Sequence, residues 1–153
     1  MIVINYTLSS DPLVLREQSK MDLATSSLAD LCYSCFGGDL KLQINDVDFS
    51  IVTGGGVQML DFSVEFYEAT RRVESAGSGR VTFAGMADEI FISKSPSGGA
   101  EISANYVDGS SEVSLGELSN SASASIRQLI SDLEREYPKL RSNKEFMRLH
   151  LLS

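Results

Sequence analysis

A run of alternating apolar and polar residues between positions 40 and 51 constrains the fold more than any other feature of this sequence. Its six apolar positions are Leu40, Leu42, Ile44, Val47, Phe49 and Ile51. Asn45 and Asp46 lie between the two halves and have the composition of a two-residue turn. In that register Ile44 faces Val47, and all six apolar side chains share one face. The pattern therefore predicts a β-hairpin that buries one face.

Two segments have the apolar repeat of a helix. Between Val57 and Glu74 the apolar positions cover most of the helical circumference and leave one narrow charged stripe, which consists of Asp61, Glu65, Glu68 and Arg72. An apolar arc this wide predicts a helix that is buried against more than one neighbour. Ser114 and Glu117 form a capping box at the start of a second amphipathic helix, and Pro138 ends it.

Weaker patterns occupy the two ends of the chain. Residues Ile2 to Leu8 are typical of a first strand, which the segment Ser9 to Pro12 interrupts. Apolar residues at spacings of three and four predict a helix from Lys20 to Phe36, and Gly37-Gly38 supplies a left-handed stop. A short final helix is expected from Asn143 to Leu151.

A β-rich meander separates the two main helices. Asp108-Gly109 predicts a primed turn that pairs Val107 with Ser110 and Ala104 with Val113. The expected strands are Arg80–Ala84, Glu89–Lys94, Ala100–Val107 and Ser110–Ser114. Together the elements predict a single α+β domain over residues 1–153. Its antiparallel sheet has about six or seven strands, and the helices pack mainly on one face.

The charge of the chain narrows the classes of partner. Thirteen Lys and Arg residues against 21 Asp and Glu residues give a formal net charge of −8. Nucleic-acid binding depends on basic groups that neutralise phosphates, so a nucleic-acid partner is not expected. A negative surface instead attracts a basic protein partner and speeds its encounter. The ordinary alternative is that the charge keeps the protein soluble.

Cysteine usage and hydropathy indicate a cytoplasmic protein. The longest apolar runs are a few residues long, far below the ~18–20 that cross a bilayer, so no membrane association is expected. Residues Met1 to Ile4 lack a basic segment and a cleavage site, so they are not expected to form a signal peptide. Two cysteines are too few for a disulfide framework, which favours a reducing compartment.

The candidate chemical motifs are each incomplete. Cys32 and Cys35 match C-x-x-C but fall at the end of the predicted helix, where the dipole disfavours thiolates, and the chain lacks four zinc ligands. His150 is the single histidine and lies near the C-terminal end of this sequence. The acidic stripe that begins at Asp61 has no tryptophan platform for glycoside chemistry. We therefore expect no catalytic, cofactor or metal residues, and we expect the two thiols to lie in the core.

A glycine-rich loop leaves one alternative open. Residues Thr53 to Gly56 lie between a predicted strand and a predicted helix, where backbone amides bind anions in other proteins. The loop lacks the Lys-[Ser/Thr] of a P-loop and the spacing of a dinucleotide fingerprint. A small-ligand-binding protein or an enzyme would use this loop together with the helical face of Asp61.

The outward positions of the meander form the candidate interface. Polar residues surround one aromatic side chain there, and protein interfaces combine a buried aromatic anchor with a hydrogen-bonding rim. The ordinary interpretation is a solvated sheet face with one stray aromatic residue. The predicted partner-binding residues are Asp48, Glu89, Phe91, Glu101, Asn105 and Glu112.

Between Val57 and Met147 the chain resembles the small acidic immunity proteins encoded beside bacterial polymorphic and contact-dependent toxins. The features that carry the resemblance are the helix around Leu60-Asp61-Phe62, the meander, the helix start at Glu117-Leu118, and Tyr137-Pro138-Lys139-Leu140 with Asn143. The resemblance implies a cytoplasmic protein that binds and neutralises one cognate toxin. A further alternative is an adaptor or oligomerisation subunit whose outer sheet face pairs with its own copy in a homodimer.

Overall fold

The computed structural model describes residues 1–152 and has an α+β architecture with two antiparallel sheets of four strands. The strands of the first sheet are β1 (Ile2–Leu8), β2 (Gly37–Ile44), β3 (Val47–Asp48) and β4 (Val57–Gln58). The strands of the second sheet are β5 (Ser78–Thr82), β6 (Glu89–Lys94), β7 (Ala100–Ala104) and β8 (Val107–Val113). The helices are α1 (Pro12–Ser19), α2 (Leu28–Ser34), α3 (Met59–Ala76), α4 (Leu115–Glu136) and α5 (Lys144–Met147), with short 3₁₀ helices at Pro138–Ser142 and Arg148–Leu152.

The prediction of one sheet with six or seven strands is wrong. The strands form two sheets, because β3 of the first sheet does not pair with β8 of the second. Strand β3 is only two residues long, and it pairs with β2 alone. Side chains join the two sheets where a backbone ladder would otherwise run. The Asn45 amide donates to Ser111 Oγ at 2.8 Å and to the Glu112 carbonyl at 2.9 Å, and the Tyr106 hydroxyl donates to the Phe49 carbonyl at 2.7 Å.

The predicted hairpin is confirmed in its turn and in its register. Ile44 pairs with Val47 across the Asn45-Asp46 turn, and Leu40 bridges to Ile51. Asn45 has a φ of 52°, a left-handed conformation that asparagine tolerates in such turns. Five of the six apolar side chains are buried, and Val47 is half-buried.

The predicted helix from Lys20 to Phe36 is wrong in its first half. Only Leu28–Ser34 is helical, and residues 20–27 form turns that a distant residue holds. Asn143 donates through its side chain to the carbonyls of Leu23 and Ser26, at 2.9 and 2.8 Å. These two bonds fix a non-helical backbone, which local apolar spacing does not reveal.

Two glycines predicted to stop that helix instead begin β2. The left-handed residue is Phe36, with a φ of 63°, and Gly37 and Gly38 pair with β4. A Cβ atom on Gly38 would lie 2.5 Å from the Thr7 carbonyl, so a glycine is needed where β2 approaches β1. This pairing also takes Val57 and Gln58 into β4, so α3 begins at Met59 rather than at the predicted Val57.

Helix α3 is central, as its wide apolar arc predicts. It packs against β2 and β4 of the first sheet, against β5 and β6 of the second, and against α2 and α4. Its fully buried large side chains include Leu60, Phe62 and Phe66. Helix α4 is also confirmed: the Ser114 hydroxyl accepts a hydrogen bond from Glu117 N at 3.1 Å, and the helix ends two residues before Pro138.

The predicted turn at Asp108-Gly109 is wrong. The β7–β8 turn is formed by Asn105 and Tyr106, with Ala104 opposite Val107. Asp108 and Gly109 form an irregularity within β8, where Gly109 uses its positive φ of 88°. In this register Val113 pairs with Ala100 rather than with Ala104.

Candidate functional site

The second sheet has one covered face and one open face. Helix α3 packs against β5 and β6 on the covered face. The buried apolar side chains of that face are Val81, Ile90, Ile92, Ala100, Ile102 and Val113. The alternate positions of β5 to β8 form the open face, which we call the outer face. Pairing places them in two full rows across the four strands, Ser78-Ser93-Glu101-Glu112 and Arg80-Phe91-Ser103-Ser110, with Thr82 and Glu89 in a third.

The outer face holds an aromatic side chain and an unfavourable charge pair. Phe91 is 39% exposed and lies between Arg80 and Ser103 in its row. Glu101 lies directly opposite Glu112 on neighbouring strands, and like charges in that position destabilise a sheet. The sheet therefore carries a charge arrangement that its own stability does not require.

Hydrogen bonds keep one member of this pair ionised. The Ser97 hydroxyl donates to Glu112 Oε1 at 2.8 Å, and Ser95 lies 2.8 Å from Ser97. Interactions with Ser95 and Ser97 lower the pKa of Glu112 below its ordinary value. Glu112 is thus a carboxylate in neutral solution, and the outer face is acidic at its β7–β8 side.

Four of the six predicted partner-binding residues lie on the outer face. Glu101, Phe91 and Glu112 are exposed there, and half-buried Glu89 lies 3.9 Å from Arg80 in a weak ion pair. Asp48 lies elsewhere, in β3 of the first sheet, where its carboxylate accepts the backbone N–H of Ser50 at 2.9 Å.

Asn105, the sixth predicted residue, is exposed but holds the local backbone. Its side-chain oxygen accepts Glu89 N at 2.8 Å, and its amide donates to the Ala87 carbonyl at 2.9 Å. The side chain therefore fixes the loop that precedes β6. Its hydrogen-bonding groups serve the fold rather than a partner.

Three of the four backbone amides of the glycine-rich loop are bonded within the chain. Asp39 Oδ1 accepts Thr53 N at 3.1 Å and Gly55 N at 2.9 Å, and Thr53 Oγ1 accepts Gly56 N at 3.2 Å. A carboxylate of the protein thus takes the place that an external anion would take. The shallow pocket of about 300 Å³ beside the loop also contains Asp11, a second acid that repels anions.

Asp61, the other residue of that alternative, faces the protein interior. It is 7% exposed, and its carboxylate accepts Ala84 N at 3.2 Å. Burial is the main cause that raises the pKa of Asp61 to about 6; the hydrogen bond from Ala84 N opposes this rise, and the negative charge of Glu65 contributes to it. This side chain therefore tethers the loop between β5 and β6.

The C-x-x-C pair lies in the core, as predicted. Cys32 and Cys35 are both buried free thiols at the end of α2. Burial raises the pKa of Cys32 to about 12 and that of Cys35 to about 11, with Asp61 and Asp30 adding to the respective shifts. Both groups are protonated at neutral pH, when thiols are poor nucleophiles and metal ligands.

A groove at the edge of the second sheet was not predicted from the sequence. It has a volume of about 550 Å³, and its walls include Glu65, Arg72, Arg80 and Phe91. Glu65 and Arg72 come from α3, whereas Arg80 and Phe91 come from β5 and β6. The alternation of Arg80 with buried Val81 is the sequence signal that places Arg80 outward.

Residues 1–152 contain neither a cluster of side chains placed to ligate a metal nor a helix suited to spanning a membrane. No group of three or more His, Cys, Asp or Glu side chains in this range is placed to hold a metal ion. No helix in this range combines the length and the hydropathy that a membrane span requires. Comparison with known proteins found no matching family model, curated protein or solved structure.

Proposed function

We propose that this protein is a cytoplasmic inhibitory binding protein that attaches the outer face of its second sheet to a basic surface of a cognate bacterial toxin and thereby blocks the toxin. The observation that carries the proposal is the pairing of Glu101 with Glu112 beside half-exposed Phe91. Two carboxylates opposite each other bind lysine or arginine side chains more strongly than either one alone. The adjacent ring supplies an apolar anchor.

The net charge of −8 also favours recognition of a basic protein partner. It accelerates encounter with a basic protein, and a rapid encounter suits an inhibitor that must act before its target does. Three of the four amides of the glycine-rich loop, by contrast, are bonded within the chain. Recognition through the exposed sheet is therefore favoured over small-ligand binding at that loop.

The outer face is smaller than the surface that a stable complex buries. Four strands about 4.8 Å apart and about five residues long present roughly 250 Å². A stable complex buries about 800 Å² on each partner. The proposed interface therefore includes one or both margins of the sheet in addition to the outer face.

The proposal is tested by co-expression with the product of the gene adjacent to the one that encodes this chain. We expect the unaltered protein to restore growth and to co-purify with that product. Glu101→Lys should lose both effects while its melting temperature is no lower than that of the unaltered protein, because lysine opposite Glu112 removes the repulsion. Failure of the unaltered protein to rescue growth or to form a complex would overturn the proposal.

Glu136→Lys is the matched control. It makes the same change of charge at an exposed position in the last turn of α4, away from the second sheet. This variant should rescue growth as well as the unaltered protein does. Equal loss of rescue in both variants would show that net charge, rather than the outer face, determines the effect.

A further inference from the structure

Strand β5 is an edge strand whose free backbone groups can be identified from its pairing. Lys94 N donates to the Gly77 carbonyl at 2.9 Å, so Gly77 and Lys94 form a hydrogen-bonded pair. Pairs of this kind alternate along an antiparallel ladder, which makes Gly79–Ile92 the next one. The intervening residues therefore direct their backbone N–H and C=O groups away from β6. These residues are Ser78, Arg80 and Thr82.

The groups at this edge lack partners within the described part of the chain. Strand β5 pairs with β6 alone, and no hydrogen bond among residues 1–152 reaches the outward backbone groups of β5. Helix α3 lies directly against this strand. A Cβ atom on Gly79 would lie 2.4 Å from the Ala69 carbonyl, which shows how closely α3 backs the strand.

The groove described above runs along this edge and carries positive charge. Arg72 on α3 is exposed, and the Arg80 side chain is 61% exposed. Two acidic residues compensate this positive charge only in part. Glu65 is half-buried in the groove, and Glu89 makes only a weak contact with Arg80. An extended segment laid along β5 would place one side chain directly opposite Arg80, and an acidic residue there would be favoured.

The same charge argues against pairing of two copies of the chain through β5. Full antiparallel overlap of Ser78–Thr82 with its own copy would place Arg80 opposite Arg80. Like charges opposite each other destabilise a strand pair, and charged side chains on edge strands prevent such association. The occupant is therefore a segment of different sequence.

We infer that the free edge of β5 binds an extended segment of a partner protein by β-strand addition, with an acidic side chain of that segment opposite Arg80. Backbone hydrogen bonds to Ser78, Arg80 and Thr82 supply the attachment, and the charge opposite Arg80 selects the segment. This inference goes beyond the proposed function, because it uses the margin of the second sheet that lies farthest from Glu112.

The test uses two seven-residue peptides of alternating threonine and valine, with glutamate or lysine at the central position. Amide hydrogen exchange and chemical-shift titration are followed by NMR. The glutamate peptide should slow exchange at the three outward amides of β5 and bind about fivefold more tightly than the lysine peptide. Arg80→Glu should reverse that preference, and Arg127→Glu, at an exposed position of α4, should leave it unchanged.

A backbone variant provides the second measurement. Thr82→Pro removes an outward N–H group without removing a bond to β6, so it should weaken binding of the glutamate peptide while the fold persists. Equal affinity for both peptides, or no protection at the three amides, would overturn the inference. Glu101→Lys should not alter peptide binding, so failure here is distinguishable from failure of the proposed function.

Discussion

The glycine-rich loop and the outer face of the second sheet both present polar groups, but those groups differ in their partners. In the loop, Asp39 and Thr53 accept the amides of residues 53, 55 and 56. On the outer face, Glu101 meets another carboxylate, Glu112, where a complementary group would stabilise it. Groups that the fold satisfies internally have little capacity left for a ligand. The Glu101–Glu112 pair keeps that capacity because the hydrogen bond from Ser97 to Glu112 does not neutralise its negative charge.

The largest expected effect is a loss of stability when Asp39, which accepts two amides of the glycine-rich loop, is replaced. Asp39→Ala leaves the amides of Thr53 and Gly55 without their acceptor, so the free energy of unfolding should fall by about 2 kcal/mol in urea denaturation. Asp39→Asn keeps one acceptor oxygen and should lose less. If Asp39→Ala unfolds like the unaltered protein, water satisfies these amides equally well and the contrast with the outer face disappears.

An intermediate effect is expected at Asp61, a buried carboxylate with one amide donor. Its folded-state pKa of about 6 exceeds the ordinary value of 3.8, so the folded protein binds this proton more tightly than the unfolded chain. Stability from this group therefore rises as the pH falls through 6. The free energy of unfolding should increase by about 1 kcal/mol between pH 7.5 and pH 5.

Asp61→Asn should remove that dependence, because the amide does not titrate while its oxygen still accepts Ala84 N. Urea denaturation at several pH values measures the slope. An unchanged slope in this variant would assign the proton uptake to another group. Above pH 5, the groups with lowered pKa values, Asp48, Glu112 and Asp132, contribute little to the slope.

The smallest expected effect is a change in melting temperature when the Glu101–Glu112 charge pair on the outer face is removed. Glu101→Gln removes the repulsion from Glu112 and should raise the melting temperature by about 1 to 2 °C. Glu136→Gln, which has no opposing carboxylate across a strand, should leave the melting temperature unchanged. A lower melting temperature for Glu101→Gln would mean that the carboxylate makes a stabilising contact within the fold, and the outer face would then resemble the loop.

Local patterns predicted the elements whose partners lie close in sequence. The hairpin register follows from alternation around Asn45, and the capping box at Ser114 fixes the start of α4. Helix α1 also has a local signal, although the same residues are typical of a strand break. Asp11 caps this helix by accepting Leu13 N, and Pro12 occupies its first turn.

The errors lie where distant side chains decide the backbone. The β7–β8 turn falls at Asn105 and Tyr106 because their side chains bond to Ala87, Glu89 and Phe49. The division into two sheets depends on the short length of β3. Alternation placed four of the six site residues on the outer face, but it could not reveal that Asn105 is committed to the backbone.

The contacts of Asn143 also affect the order of events during synthesis. Its side chain binds the carbonyl of Leu23, which is translated 120 residues earlier. At typical elongation rates of about 5–20 residues per second, the two groups are produced on the order of ten seconds apart. Until Asn143 is synthesised, the carbonyls of Leu23 and Ser26 lack this hydrogen-bond donor. The segment 20–27 of the nascent polypeptide is then open to chaperones and proteases.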